Sequence, residues 1–77
     1  MRLILIIWND ANSRTHEWDD LSIFDTELSL CKSVGWVTAE DEKAITIVSS
    51  IQDDEHGGGD ITIPRGCIIS ITELDNE

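Results

Sequence analysis

The chain has few of the residues that stabilise small secreted domains. It contains two cysteines, one proline, one phenylalanine and no tyrosine in 77 residues. Two cysteines cannot form the disulfide framework of a small secreted domain, so the fold must depend on its apolar core, and oligomerisation would add stability. Cys31 and Cys67 each lie in an apolar run. This favours two buried free thiols in a reducing cytosol, with a disulfide between them as the alternative.

Basic residues are scarce as well. Five Lys and Arg stand against sixteen Asp and Glu, which gives a formal net charge of −11 at pH 7. Because this charge repels phosphate backbones, the sequence argues against direct nucleic-acid binding and favours attraction to a basic protein surface. For the acidic clusters at residues 40–42 and 53–55 we expect solvation of the surface.

Long hydrophobic runs are also missing. The apolar run at residues 3–8 is too short for a secretory signal or a membrane span, and no small-residue cleavage site follows it. We therefore expect a soluble, cytoplasmic protein without membrane contact. Seventy-seven residues are enough for a single domain with a thin core, so residues 1–77 are expected to form one unit.

β-Branched residues dominate the remaining sequence, and they occur in short runs. The predicted strands span residues 3–8, 28–38, 44–51, 61–63 and 67–74. A long polar loop separates the first two. Closing such a sheet would remove the exposed edges of isoleucine-rich strands. The predicted fold is therefore all-β: a small five-stranded antiparallel SH3-like or Sm-like barrel with a long first loop.

The second strand has its large apolar residues at even positions. Leu28, Leu30, Val34 and Trp36 share one face, which we expect to be the core face, and Trp36 is predicted to pack in the core. Gly35 within this run predicts the bulge or sharp bend that a small barrel needs.

One stretch resembles a catalytic motif, the sequence His-Gly-Gly-Gly at residues 56–59. It matches the oxyanion loop of esterases, but that loop needs a Gly-x-Ser-x-Gly nucleophile elbow, which the chain lacks. No Gly-Lys-Ser/Thr follows for phosphate binding, and no histidine or cysteine spacing predicts a metal site. We therefore expect a flexible hairpin loop in a non-catalytic protein that needs no cofactor or metal.

Three tryptophans and two loop arginines are more informative. Trp8 ends the first strand and Trp18 lies in the long loop, where SH3-like barrels build ligand grooves. For both, partner contact and structural packing are equal alternatives. Arg14 in that loop and Arg65 at the Pro-Arg-Gly corner have the geometry to bind phosphate, although neutralising nearby carboxylates is the simpler role.

Two stretches carry a resemblance to a known group of proteins. They are "SVGW" at residues 33–36 and "IPRGCII" at residues 63–69. Together with their flanking segments, they resemble a group of small uncharacterised bacteriophage-encoded proteins, over most of the chain. The resemblance implies an SH3-like barrel in the infected cytoplasm. It also implies a non-catalytic inhibitor of host or defence machinery, in some cases a sponge for nucleotide signals.

These observations predict an oligomeric anti-defence module that sequesters a nucleotide-derived immune signal, because tryptophan can stack on a base while arginine binds phosphate. The alternative is an acidic inhibitor or DNA mimic that docks on a basic host or defence protein. A homo-oligomer is expected because one barrel is not expected to hold all of its isoleucines, and Ile4, Ile6, Ile68 and Ile69 are the surplus. The predicted ligand-binding residues are Trp8, Asp10, Arg14, Trp18, His56 and Arg65.

Overall fold

A computed structural model describes residues 1–11, 20–23 and 26–74. Within these residues the chain forms β-strands and two short 3-10 turns, and no α-helix. The strands are β1 (Leu3–Asp10), β2 (Ser29–Glu40), β3 (Ala44–Val48), β4 (Ser50–Gln52), β5 (His56–Gly58), β6 (Ile61–Pro64) and β7 (Ile68–Leu74). The 3-10 turns are Leu21–Ile23 and Arg65–Cys67. In this part of the chain there is no helix with the length and apolar character to cross a membrane.

Five strands form one antiparallel sheet in the order β6-β3-β2-β1-β7, and β4 pairs with β5 as a separate hairpin. The all-β class and the five antiparallel strands are therefore confirmed. The predicted closure into a barrel is wrong, because the edge strands β6 and β7 do not pair within the described residues. β6 has only four residues and ends at Pro64, which has no N–H to donate, so it offers little for a further strand to pair with.

The core lies on one side of this sheet, which we call the inner face. Burial alternates along β1, so that every second side chain is shielded from water. The most deeply buried residues are isoleucines from β1, β3 and β6: Ile4, Ile6, Ile45 and Ile63 at 0% exposure and Ile47 at 2%. Cys31 and Cys67 pack against this cluster as free thiols, but they are partly buried rather than fully buried as predicted.

Three of the four isoleucines predicted to be surplus to the core pack in it or against it. Ile4 and Ile6 are core residues, and Ile68 is partly buried against the same cluster. Only Ile69, 58% exposed, faces solvent as expected of a contact residue. The inner face therefore holds more isoleucine than predicted, because the residues that oppose β1 on β2 are small.

The orientation of β2 is the reverse of the predicted one. Its register places Gly35 opposite Ile4 and Ser33 opposite Ile6, so small residues meet the large inner-face isoleucines. The even-numbered residues consequently lie on the other side of the sheet, the outer face, and Leu30 and Val34 are 61% and 53% exposed. Leu28, just before the strand, is 57% exposed, and Trp36 is half-buried on the outer face. The assignment of these four residues to the core was wrong.

Gly35 marks a close approach between β2 and β3. A Cβ at this position would lie 2.7 Å from the Val48 backbone oxygen and 3.1 Å from Ile47 Cβ. A side chain would therefore require the strands to separate. The register shift itself falls between Val37 and Ala39, so the predicted irregularity exists but lies further along the strand.

The predicted flexible loop around the glycine run is an ordered hairpin. β4 and β5 pair from Ser50–Gly58 to Gln52–His56. The turn depends on Asp53 and Asp54, whose φ angles are 53° and 56°. Two successive left-handed residues are typical of the tight turns whose twist matches a hairpin. Gly57 and Gly58 belong to β5 instead, and a Cβ on Gly57 would lie 3.1 Å from Val48 Cγ1.

Candidate functional site

The predicted ligand-binding residues have separate environments. Trp8 is 9% exposed and belongs to the core. Its Nε1–H donates to Ser33 Oγ at 3.0 Å, which satisfies the polar atom of the indole. Asp10 is exposed at the end of β1, where Oδ1 accepts a hydrogen bond from the Ala11 N–H at 2.8 Å. Arg14 and Trp18 lie outside the described residues, so their roles stay predictions.

His56 and the glycines line small clefts at the hairpin. His56 is exposed at the start of β5 and, with Val48 and Ile51, borders a cleft of about 230 Å³. No hydrogen bond or ion pair connects its side chain to another described residue. Its proposed part in ligand binding stays a prediction.

Arg65 is engaged by carboxylate and carbonyl oxygens. Its Nη2 lies 3.3 Å from Glu40 Oε2, and its Nε donates to the Asp41 carbonyl oxygen at 3.0 Å. Glu40 also accepts from Arg2 Nη1 at 2.7 Å, and Arg2 Nε donates to Glu73 Oε1 at 2.9 Å. The hydrogen bonds to Glu73 raise the pKa of Arg2. We call these four side chains, Arg2, Glu40, Arg65 and Glu73, the arginine network.

The first acidic cluster, residues 40–42, therefore has a structural part. Glu40 belongs to the arginine network. Asp41 closes the β2–β3 turn, because its Oδ1 accepts hydrogen bonds from the Lys43 N–H at 2.7 Å and the Ala44 N–H at 2.9 Å. These two backbone hydrogen bonds lower the pKa of Asp41, and the nearby positive charge of Arg65 adds to the effect. Solvation alone does not describe this cluster.

The second acidic cluster, residues 53–55, has a different environment. Within the described part of the chain, the Asp53 and Asp54 carboxylates accept no hydrogen bond and form no ion pair. They stand at the tip of the β4–β5 hairpin and border an open groove of about 590 Å³. We call it the cation groove, and its lining residues are Trp36, Ser49, Ser50, Ile51, Asp53 and Asp54.

The cation groove is lined by an aromatic ring and by two carboxylates that have no partner among the described residues. Trp36 is half-buried on the outer face, where β2 pairs it with Val48 at the end of β3. A cationic group in the groove would lie beside the indole of Trp36 and the charges of Asp53 and Asp54. The described arginines cannot serve as that cation without leaving the arginine network.

The sequence does not predict the groove, because the apolar pattern of β2 places Trp36 in the core. Two signals were available. The odd positions of β2 contain Cys31, Ser33 and Gly35, small residues that leave room for isoleucines opposite. The Asp-Asp pair at 53–54 has residue types that tolerate left-handed φ and therefore favours a hairpin turn.

No protein-family model, curated protein or solved structure matches the chain. Among the described residues, no group of three or more His, Cys, Asp or Glu side chains is positioned to hold a metal ion. The chemistry of the site therefore follows from its geometry and charge.

Proposed function

We propose that the protein is a non-catalytic binding module that holds a lysine or arginine side chain of a basic partner protein in the cation groove. The observation that carries the proposal is the half-buried Trp36 ring beside two carboxylates, Asp53 and Asp54, that have no cation of their own among the described residues. The alternative expected from the sequence, an acidic inhibitor of a basic host or defence protein, is a protein of this type.

The interaction energies available in the groove indicate that its ligand is a basic segment of a protein rather than a single free amine. A cation–π contact at an exposed site contributes about 0.5–1 kcal/mol. Each exposed ion pair adds about 0.2–1 kcal/mol, so one side chain in the groove is held weakly. The net charge of −11 supplies long-range attraction to a partner with several cations. We therefore expect fast, salt-sensitive binding in which the groove anchors one residue of the segment.

Sequestration of a nucleotide-derived signal is the competing proposal, and an anti-defence role in phage infection would fit either function. An anionic ligand at Arg65 would have to displace Glu40 from the guanidinium, and this favours the cationic partner. An SH3-like identity for the domain is also a proposal. Its support is the five antiparallel strands, with the 3-10 turn Arg65–Cys67 leading into the last of them.

Calorimetric titration with a short oligolysine peptide tests the groove directly. The variant Asp53→Asn/Asp54→Asn removes both charges while keeping residues that accept left-handed φ, so the hairpin is preserved. We expect its affinity to fall roughly tenfold, as two lost exposed ion pairs imply. The matched control is Glu42→Gln/Asp60→Asn, which removes the same charge at exposed positions outside the groove.

Equal losses in the two double variants would mean that only net charge attracts the peptide, and the groove assignment would then be wrong. The same titrations with cyclic and ADP-ribose-type nucleotides address the competing proposal. Heat with a nucleotide and none with oligolysine would transfer the function to nucleotide sequestration.

A further inference from the structure

The outer face of the sheet is apolar and, in its described strands, has no acidic side chain. Leu3, Leu5 and Ile7 of β1 form its centre, with β2 on one side and β7 on the other. The outer-face residues opposite them are Trp36, Val34 and Lys32 on β2 and Leu74, Thr72 and Ser70 on β7. Leu3, Leu5 and Ile7 are half-buried, while Leu30 and Val34 beside them are more than half exposed. A cluster of apolar side chains that reaches the surface in this way typically marks an interaction site.

The absence of acids from this face restricts what can cover it. Sixteen Asp and Glu in 77 residues give most of the surface a negative charge. Two copies of the chain therefore repel each other wherever acidic surfaces meet, and the outer face is a place where they can come together without that cost.

Lys32 is the one charged side chain on this face among the described residues, and it decides between possible occupants. It lies opposite Ile7 and makes no hydrogen bond or ion pair with any described residue. A basic partner, which the cation groove favours, would be repelled by this lysine and would find no carboxylate beside it. A second copy presents the same apolar side chains, and the Asp53 and Asp54 carboxylates of its cation groove can pair with this lysine.

The spacing along β2 makes the face self-complementary. Lys32 and Trp36 lie on the same side of the strand, two residues before and two residues after Val34. Each is therefore about 7 Å from Val34 along the strand. A twofold axis that lies in the interface near Val34, perpendicular to β2, makes the two β2 strands run in opposite directions. It places Lys32 of one copy opposite Trp36 of the other.

We propose that two copies pack outer face to outer face about this axis, so that Lys32 of each copy enters the cation groove of the other. The same operation makes both contacts, and the leucines and valines between them are buried as in two packed sheets. The inference rests on the proposed function in that the groove must hold a cation. It adds that the groove of the free protein is filled by the partner subunit's Lys32, which a basic partner must displace.

Sedimentation equilibrium over a range of protein concentrations tests the interface. We expect the wild type to be a dimer. Val34→Glu places a carboxylate next to the twofold axis and should raise the dimer dissociation constant at least about a hundredfold. The matched control is Leu21→Glu, at a residue 84% exposed outside the sheet, and it should leave the dimer unchanged. A wild type that stays monomeric, or equal effects of the two glutamate variants, would overturn the proposal.

A double-mutant cycle tests the predicted contact between Lys32 and the groove. Lys32→Gln and Asp53→Asn/Asp54→Asn should each weaken the dimer roughly tenfold, and the combined variant should be no weaker than either alone. Additive losses would exclude the contact. The Lys32→Gln monomer should still bind oligolysine. If the Lys32→Gln variant binds the peptide but the wild type never dimerises, the dimer proposal is wrong and the proposed function stands. If the wild type dimerises as predicted but the Lys32→Gln monomer does not bind the peptide, the proposed function is wrong.

Discussion

The inner and outer faces of the sheet are both rich in large apolar side chains, but side chains on the inner face are more deeply buried. On the inner face, isoleucines from three strands are shielded from water, while on the outer face Leu30 and Val34 are more than half exposed. The difference arises from β2, which opposes the isoleucines of β1 with Gly35 and Ser33. Small residues on one strand thus decide which face becomes the core and which keeps exposed apolar side chains.

The two acidic turns show the same kind of contrast. Asp41 accepts two backbone hydrogen bonds and closes the β2–β3 turn, and Glu40 beside it contacts two arginines. Asp53 and Asp54 have left-handed φ angles and unpaired carboxylates within the described residues. Similar composition therefore gives a structural turn in one place and a charged groove wall in the other.

Truncating one side chain on each face gives the largest expected contrast. Ile6→Ala leaves a cavity in a fully buried position and should destabilise the fold by about 2–5 kcal/mol. Leu30→Ala removes an exposed side chain and should change stability by about 0.5 kcal/mol or less. Urea unfolding of dilute protein measures both. Similar losses would mean that the outer face is also part of the folded core.

The close approach at Gly35 provides a second test of the inner face. Gly35→Ala introduces a Cβ against the Val48 backbone oxygen and should cost about 1–3 kcal/mol, because the strands must shift. Gly66→Ala is the matched control, since a Cβ at Gly66 would meet no atom within 4 Å. Thermal unfolding should show a lower midpoint for the first variant only. Equal midpoints would show that β2 and β3 can separate freely at this point.

Parts of this structure could be predicted from the sequence, and the reasons are physical. The short isoleucine-rich runs at residues 3–8 and 44–48 identify strands, because composition and run length are local properties of the sequence. Which face of β2 packs in the core depends on the residues opposite it on the neighbouring strands. The apolar pattern of β2 alone therefore predicts the wrong face for Leu30 and Val34. Trp36 and Asp53 line the same groove although they are far apart in the sequence, so the Asp-Asp pair predicts a turn but not its position beside Trp36.

A substitution in the left-handed turn should change the free energy of unfolding by less, and in the stabilising direction. Asp54 has a φ of 56°, which glycine adopts without steric cost, so Asp54→Gly should stabilise the protein by about 0.5–1 kcal/mol. Asp60→Gly removes the same charge at a residue without positive φ, and its added flexibility should slightly destabilise the chain. Chemical unfolding at a single pH compares the two. A loss of stability in Asp54→Gly would mean that the Asp54 side chain supports the hairpin.

The pH dependence of Asp41 separates the structural turn from the groove wall. Hydrogen bonds from the Lys43 and Ala44 N–H groups hold the pKa of Asp41 below its usual value, about 3.9 in unfolded chains. A lowered pKa in the folded state contributes stability that is fully present above the unfolded value and disappears as the pH falls through the folded one. Asp41→Asn keeps an oxygen acceptor but cannot ionise. The stability difference between wild type and Asp41→Asn should therefore be constant from pH 7 to about 5 and shrink below about pH 4. Unfolding measured across this range, with an NMR titration of the Asp41 carboxyl carbon, gives both quantities. A difference that grows on acidification would show that the ionised Asp41 carboxylate destabilises the turn.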